Sequence, residues 1–159
     1  MNRMLRLGRA LIADEKGVTA IEFAICAPIV FLFVLITIEL CVDMMIDATL
    51  QAATQAAARA GLINVTPATQ TRAAMASSIV TNGLAGWLRL PNTTVSIVET
   101  SYSSYSNVGT ALNTTGLGGF GDVVSYQVTL TTPGITGIPA VLGFSPLVFS
   151  RNFLVQNEK

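Results

Sequence analysis

The sequence contains no histidine, and its 159 residues include only two cysteines. Histidine is the commonest general base and the commonest metal ligand, so both roles lose their usual side chain. Cys26 and Cys41 both lie in one apolar run, where a single helix would separate them by roughly 22 Å, far beyond the reach of a disulfide. We interpret them as buried small hydrophobic residues, and the sequence predicts no metal site and no cofactor.

Charged residues are scarce, at 11% of the chain, and nine basic side chains are balanced by nine acidic ones. The formal net charge is +0 and the sequence pI is about 6.2, so the chain lacks the basic field with which nucleic-acid binders capture phosphates. We therefore expect no nucleic-acid partner. The mean hydropathy of +0.59 is too high for an ordinary soluble domain, which predicts that part of the chain lies in a membrane.

No pattern in the sequence supports catalysis. The serines and threonines have no nearby base that would activate a nucleophile. Gly116, Gly118 and Gly121 spell G-x-G-x-x-G, but a dinucleotide site needs a strand before this motif and a helix after it. Here a polar loop precedes the motif and a strand is predicted to follow. We therefore predict that the chain is not an enzyme.

One uncharged run, residues 23–38, is the strongest signal in the sequence. As a helix it spans roughly 24 Å, somewhat less than the hydrocarbon core of about 30 Å, so Glu22 or Glu39 must lie near the headgroup boundary. Before the run, four basic residues outnumber two acidic ones: Arg3, Arg6, Arg9 and Lys16 against Asp14 and Glu15. The charged residues that closely follow the run are all acidic: Glu39, Asp43 and Asp47. This bias predicts a cytoplasmic N-terminus and an exported chain after about residue 43.

A cleaved secretory signal peptide is the first alternative. Its apolar region is usually about 7 to 15 residues long and ends at a small-residue cleavage site. The apolar segment of this chain is longer and continues through acidic residues into an alanine-rich helix, although the alanines between residues 52 and 60 could mimic such a site. The sequence favours a retained single-pass span.

The remainder of the chain predicts an α+β protein. Strong helix formers continue to Gly61, which has the position of a helix C-cap, so one long helix is predicted whose first part is transmembrane. Thr66 and Pro67 have the pattern of the N-cap and first turn of a second helix that reaches about Val80. Three segments rich in β-branched and aromatic residues predict a small antiparallel sheet: 93–100, 122–132 and 147–156. The expected domains are a cytoplasmic leader at 1–17, the helix at 18–61 and an exported head at 62–159.

A carboxylate at residue 22 is unusual at the start of a membrane span. An acid at the bilayer centre costs about 2.5 to 3.5 kcal/mol, and less near the interface, so one interpretation is an acid at the cytoplasmic boundary that reaches the headgroups. The spacing supports another. If the chain were cut after Gly17, Val18 would gain a positively charged amine four residues before Glu22, on the same helical face. Cleavage would then create a counter-charge for this acid or for that of a neighbouring subunit.

The stretch G-V-T-A-I-E-F, residues 17–23, resembles the prepilin peptidase site of type IV pilin-like proteins, with glycine before the cut and glutamate at the fifth mature position. Over residues 17–61 the chain is similar to the TadE-like pseudopilins of tight adherence (Flp, type IVc) pilus systems. The shared features begin with Ala-Ile-Glu-Phe at residues 20–23 and a proline within the apolar run, Pro28. A second glutamate follows at the end of the run, Glu39, and an Ala-Ala-Arg element lies further along at residues 57–59. The family often has Gly and Arg after the second Glu, whereas this chain has Leu40 and Cys41.

The resemblance implies a non-catalytic pseudopilin, a minor or priming subunit for assembly of a tight adherence pilus, matured by cleavage between Gly17 and Val18. It also implies that Glu22 and Phe23 act in assembly, the former by charge pairing. The implied partners are a prepilin peptidase, other pilins and pseudopilins, the inner-membrane pilus assembly platform and membrane lipid.

The implied location is the bacterial inner membrane, with a single pass, a cytoplasmic N-terminus and a periplasmic or extracellular C-terminal domain; whether the chain also enters the pilus is left open. The alternative function is an uncleaved, membrane-anchored exported binding or adhesion module.

Three further features have two interpretations each. Pro28 removes one helical hydrogen bond, which makes either a simple kink or a soft point for packing into an assembly. Glu39, Asp43 and Asp47 recur every four residues as an acidic stripe, which is either a solvated face or a face for a basic partner. Residues 133–149 are uncharged, and their three prolines and three glycines exclude a second spanning helix. They form either a loop packed on the sheet or an apolar patch for another subunit.

Overall fold

A computed structural model of the chain describes residues 15–62, the first two by backbone alone, and residues 71–158. Its α-helices are α1 (Glu15–Leu62), α2 (Arg72–Gly83) and the single-turn α3 (Ile138–Val141). Its strands are β1 (Thr94–Tyr102), β2 (Thr114–Thr115), β3 (Val123–Thr132) and β4 (Leu147–Gln156). The predicted α+β class, with one long N-terminal helix and a small antiparallel sheet, is confirmed.

The chain divides into two compact units after Ile38, and α1 contributes residues to both. In the first unit, α1 begins at Glu15, three residues before the predicted start at Val18. Large apolar side chains of this unit are exposed, including Phe23 at 70% and Phe33 at 67%. By length and composition, α1 contains a segment apolar enough to cross a membrane. One long apolar helix with exposed side chains fits a single-pass membrane protein.

The two cysteines are exposed on α1, so the expectation that they are buried within the chain is wrong. Cys26 lies among the exposed side chains of the apolar run, which lipid rather than protein would surround in a membrane span. Cys41 lies on an outward side of α1, next to exposed Leu40.

The second unit, from Glu39 onwards, contains a four-stranded sheet in the order β2-β1-β3-β4, with antiparallel neighbours throughout. Along β3 the sequence alternates Val124, Tyr126, Val128 and Leu130 with Ser125, Gln127 and Thr129, which predicts a half-buried strand. This prediction is confirmed, since the first four side chains are fully buried. Ser125, predicted on the opposite face, is also buried and donates a hydrogen bond to Asn152 Oδ1 at 2.8 Å. The short β2 lies inside a segment that the sequence predicts as a solvated loop.

The core of this unit forms where α1 packs against β3. Buried apolar residues recur on α1 at helical spacing: Ile46, Leu50, Ala53 and Ala57, with Ala58 beside them. α2 and the turn after it add Ala76, Val80 and Leu84. Burial of each large side chain contributes about 1.5–3 kcal/mol, while the alanines allow α1 to approach the sheet closely.

The predicted start of the second helix at Thr66 and Pro67 lies outside the described residues. Within them, α2 begins at Arg72, and Thr71 Oγ1 accepts the backbone N–H of Ala74 at 3.2 Å, which makes Thr71 its N-cap. The helix continues to Gly83, a few residues beyond the predicted end near Val80.

Within the second unit, α1 and β3 run in opposite directions. The side chain of Glu39 bonds to the loop that follows β3, and Asp47 pairs with Arg151 halfway along the sheet. The guanidinium of Arg72 donates hydrogen bonds to the carbonyl of Gly61 and to the side chain of Asn157. Asn157 lies beside the start of β3. The loop after β3 therefore lies at the same end of the head as Glu39, and the loop before β3 lies at the opposite end.

Candidate functional site

Gly17 and Val18, the predicted cleavage site, lie on the exposed surface of α1. A Cβ atom added at Gly17 would meet no atom of the described chain within 4 Å. The backbone there is helical, and glycine inside a helix costs about 1 kcal/mol relative to alanine. The fold itself therefore gives no reason for a glycine at this position. A reason is available if another molecule must approach the backbone closely, as a peptidase does.

Glu22 and Phe23 both lie exposed on the span. Among the described side chains, Glu22 has no hydrogen-bond or ion-pair partner. Its position one helical turn after Val18 places the two residues on the same side of α1. In the uncut chain Val18 carries only a peptide N–H, so the charge pair predicted from the spacing requires cleavage and stays a prediction.

Pro28 lies inside α1, and the helix is assigned continuously on both sides of it. Proline lacks the N–H that would bond to the carbonyl of Ala24. Because the hydrogen bond to the Ala24 carbonyl is missing, the helix can bend near this position at low energetic cost. The choice between a simple kink and a packing site stays open.

Glu39, the first residue of the second unit, has a carboxylate that is built into the head. Its side chain is only 5% exposed. Oε1 accepts the backbone N–H of Ile135 at 2.9 Å, and Oε2 accepts that of Thr136 at 2.7 Å. Hydrogen bonds to a charged acceptor are roughly twice as strong as neutral ones. Glu39 is therefore not part of a solvated face: it fixes the loop after β3 to α1.

Gly134 makes this arrangement possible. Its φ of +89° is a left-handed conformation that side chains rarely adopt, and a Cβ there would lie 2.5 Å from Glu39 Oε1 and 2.9 Å from Pro139 Cγ. Only glycine satisfies both conditions. The residues Pro133-Gly134-Ile135-Thr136 thus form a turn whose two N–H groups point at one carboxylate.

The pKa values of Glu39 and Asp43 move in opposite directions. Burial raises the pKa of Glu39, but the hydrogen bonds from Thr136 and Ile135 outweigh burial and lower the pKa below its ordinary value of 4.5. Burial raises the pKa of Asp43, and the negative charge of Glu39 raises it further. Asp43 Oδ1 is buried without a hydrogen-bond partner among the described residues. The two neighbouring acids therefore have opposite effects on stability at neutral pH.

We expect Glu39→Gln to lower the free energy of unfolding of the head by about 1–3 kcal/mol at neutral pH, because an amide can accept only one of the two N–H groups. A lowered pKa contributes stability that is present above the unfolded value near 4.5 and lost as the pH falls through the folded value. The deficit of the variant should therefore shrink in acid. Fluorescence of Trp87, the single tryptophan, during denaturation of the full chain in detergent measures both effects.

Asp43→Asn is the matched control for this measurement, since it removes the neighbouring charge on the same helix. Its pKa is raised, so its charged form is disfavoured in the fold, and neutralisation should leave stability at neutral pH unchanged or increased. Equal losses in Glu39→Gln and Asp43→Asn would contradict the special role of Glu39.

Asp47 lies one turn further along α1 and pairs with Arg151 of β4. Arg151 Nε donates to Asp47 Oδ1 at 2.8 Å, and Nη2 of the same guanidinium contacts Oδ2. Both side chains are partly exposed, so the pair orients α1 against β4 more than it stabilises the fold. Two of the three stripe acids therefore have partners within this chain, and a role of the stripe as a face for a separate basic partner stays a prediction.

The end of α1 forms a second tight contact with the head. Gly61 is helical rather than left-handed, so it does not act as the C-cap that the sequence predicts, and α1 includes the next residue, Leu62. A Cβ at Gly61 would collide with the hydroxyl of Tyr126. The position therefore needs glycine because β3 approaches the helix closely there.

A small polar cluster surrounds this contact. Arg72 Nη2 donates to the Gly61 carbonyl and to Asn157 Oδ1, both at 2.8 Å. Burial raises the pKa of Tyr126 to about 12, the charge of Glu99 adds to this rise, and the charge of Arg72 opposes it. Burial likewise raises the pKa of Glu99, partly offset by Arg72. The cluster connects the end of α1, the start of α2 and the sheet, and we interpret its role as structural.

Sequence reasoning missed Gly134, Tyr126, Arg72 and Asn157. Each acts through a partner that is distant in the sequence; the bond between Thr136 and Glu39 spans 97 residues. A Pro-Gly pair directly after a strand was the available signal for the turn. Nothing local indicated that its N–H groups would bind a carboxylate on α1.

Comparison with known proteins agrees with the N-terminal resemblance. A family model described as TadE-like protein matches residues 17–59, just over a quarter of the chain. The match includes the predicted cleavage site, Glu22, Pro28, Glu39 and the Ala-Ala-Arg element. No curated protein and no solved structure matches the chain. The resemblance to TadE-like proteins is therefore confirmed for residues 17–59.

Proposed function

We propose, from the TadE-like segment at residues 17–59, that this chain is a non-catalytic pseudopilin that acts as a minor or priming subunit in assembly of a tight adherence pilus. The observation that carries the proposal is the family match over a helix in which Gly17, Glu22 and Glu39 are combined with an uncharged run. The proposal includes cleavage by a prepilin peptidase between Gly17 and Val18.

The surface of α1 supports a role in subunit packing. In the second unit, Leu40, Met44 and Met45 are exposed, with Met44 at 74%. The neighbouring Ile46 and Leu50 are buried in the core, so α1 presents one apolar side to the head and another outward. Apolar side chains grouped on an exposed surface are typical of interaction sites. Helices of other pilins are the partners that this surface fits.

The proposed location is the bacterial inner membrane, with residues 1–17 in the cytoplasm and the head exported. The charge bias around the span supports this orientation, since basic residues precede the run and acidic residues follow it. The proposed partners are the prepilin peptidase, other pilins and pseudopilins, and the inner-membrane assembly platform.

Deletion of the chain from a pilus-forming cell tests the proposal. We expect few or no pili in the deletion strain, full recovery when the whole chain is expressed again, and crosslinks to pilins from a photoreactive residue at Met44. Normal pili together with an absence of pilin crosslinks would favour the anchored binding or adhesion module instead.

A further inference from the structure

The loop between β3 and β4 is apolar, exposed and placed beside the residue where the chain leaves the span. No charged residue occurs between Asp122 and Arg151. Within this stretch Val141 is 85% exposed and Phe144 is 68% exposed, and Leu142 and Ile135 are also exposed. Glu39 bonds to the backbone of this loop, and Glu39 directly follows Ile38, the last residue of the uncharged run.

We propose that residues 135–144 form a membrane-contacting loop that inserts its apolar side chains into the headgroup–acyl boundary of the bilayer that holds the span. The inference rests on the membrane location of the span within the proposed function, but not on pilus assembly. Because Glu39 holds the loop by two hydrogen bonds, the loop stays at the level where the chain leaves the lipid. The inserted depth expected for such a surface is about 5–10 Å.

Most backbone N–H groups of the loop have hydrogen-bond partners, as an apolar environment requires. Unpaired N–H groups are costly in lipid, so a loop that enters the interface must satisfy them internally. Most N–H groups between residues 135 and 144 donate to atoms of the head: those of Ile135, Thr136, Ile138, Val141, Leu142, Gly143 and Phe144. Several of these bonds belong to the single turn of α3 and its end, so the loop can enter the interface with few unpaired N–H groups.

The opposite end of the sheet provides an internal comparison. The connection from Tyr102 to Val123 is rich in serine, asparagine and glycine, and it includes Leu112, which is 70% exposed. β3 separates the two loops by its ten residues, about 33 Å at 3.3 Å per residue. Leu112 and Phe144 thus have nearly equal exposure but lie at opposite ends of the head.

Fluorescence quenching by spin-labelled lipid tests the proposal. The full chain, with Cys26→Ala and Cys41→Ala, is reconstituted as one copy per nanodisc of phosphatidylethanolamine and phosphatidylglycerol, with an environment-sensitive probe on Val141→Cys, Phe144→Cys or Leu112→Cys. We expect lipid quenching several times stronger at residues 141 and 144 than at residue 112. Added salt should not change it, because no charged side chain takes part.

Two outcomes would overturn the proposal. The first is access of aqueous iodide to residues 141 and 144 equal to that at residue 112. The second is protection of residues 141 and 144 only when several copies share one nanodisc, which would identify a second copy as the occupant. A probe on Leu32→Cys reports insertion of the span itself. Quenching at residue 32 without quenching at the loop refutes only this inference, whereas no quenching at residue 32 refutes the membrane location and the inference with it.

A charged variant gives an independent test. Phe144→Glu should reduce lipid quenching at residue 141 and leave the denaturation midpoint of the head unchanged, since this side chain is exposed. Leu112→Glu is the matched control and should change neither quantity. Unchanged quenching in Phe144→Glu would contradict lipid contact.

Discussion

Replacing Gly17 by leucine is expected to leave the protein uncut, so that residues 1–17 remain attached and pilus assembly is lost. A peptidase must fit the backbone at the bond that it cuts, and a bulky side chain directly before that bond blocks close approach. The structure sharpens this expectation, because among the described residues nothing outside the helix's own backbone lies within 4 Å of a Cβ at Gly17. The described fold therefore has room for a larger residue there. Leucine also favours the helix over glycine by nearly 1 kcal/mol. Any loss of cleavage would therefore not come from misfolding.

The mass of the purified protein from cells with an active prepilin peptidase is the measurement. Gly86→Leu serves as the matched control, since a Cβ at Gly86 also meets no atom of the described chain within 4 Å and that glycine lies far from the span in sequence. A wild-type protein that keeps its first 17 residues would refute the cleavage site. A Gly17→Leu protein that begins at Val18 would refute the requirement for glycine.

Glu22→Gln is expected to abolish pilus formation while membrane insertion stays intact. After cleavage, the amine of Val18 and the carboxylate of Glu22, in one subunit or between neighbours, form a charge pair in a medium of low dielectric constant. Removal of one member of a buried pair typically costs about 3–5 kcal/mol, because the other charge is left uncompensated. This corresponds to a fall in the association constant of about two to four orders of magnitude.

Insertion should not suffer from the same substitution, since a neutral residue is easier to keep in lipid than an acid. The measurements are the pilus count, the yield of crosslinks to pilins and the amount of membrane-bound chain at normal expression. Cys26→Ser, one turn further along the exposed surface of α1, is a control that changes polarity without removing a charge. Pili and crosslinks at wild-type levels in Glu22→Gln would favour a simple membrane anchor.

Cleavage after Gly17 would also change the charge balance around the proposed span. Residues 1–17 contain four basic and two acidic side chains, out of nine of each in the chain. Cleavage would therefore remove a net charge of +2 and leave a chain of net charge −2. It would also remove the basic residues that, in the proposed orientation, hold the N-terminus in the cytoplasm. The positive charge that would remain near this end of the span is the new amine of Val18, which is why we propose it as the pairing partner of Glu22.

Much of the local structure of this protein was readable from its sequence. The long helix, the three main strands and the buried alternation along β3 each follow from patterns within a few residues of one another. The cleavage motif and the TadE-like resemblance were also local, because they depend on residue types at fixed spacing along one helix. Boundaries were less well predicted: α1 begins earlier than expected, and the two-residue β2 was read as loop.

The roles of individual polar residues depended on tertiary structure. The stripe of Glu39, Asp43 and Asp47 looks uniform in sequence, yet its members differ because different parts of the head lie opposite them. Glu39 meets two N–H groups, Asp47 meets Arg151, and Asp43 keeps a buried oxygen without a hydrogen-bond partner among the described residues.

The same distinction applies to the glycines and to the apolar loop. Gly17 and Gly61 are both glycines of α1, but only Gly61 lies against a strand, where a Cβ would collide with Tyr126. The sequence determined that residues 133–149 are uncharged and cannot span a membrane. Only the fold shows that this segment lies beside Glu39. Since β3 runs opposite to α1, the loop after β3 lies at the end of the head where Glu39 is found. The local sequence pattern thus determines the secondary structure of each segment, and long-range contacts determine which groups each side chain contacts.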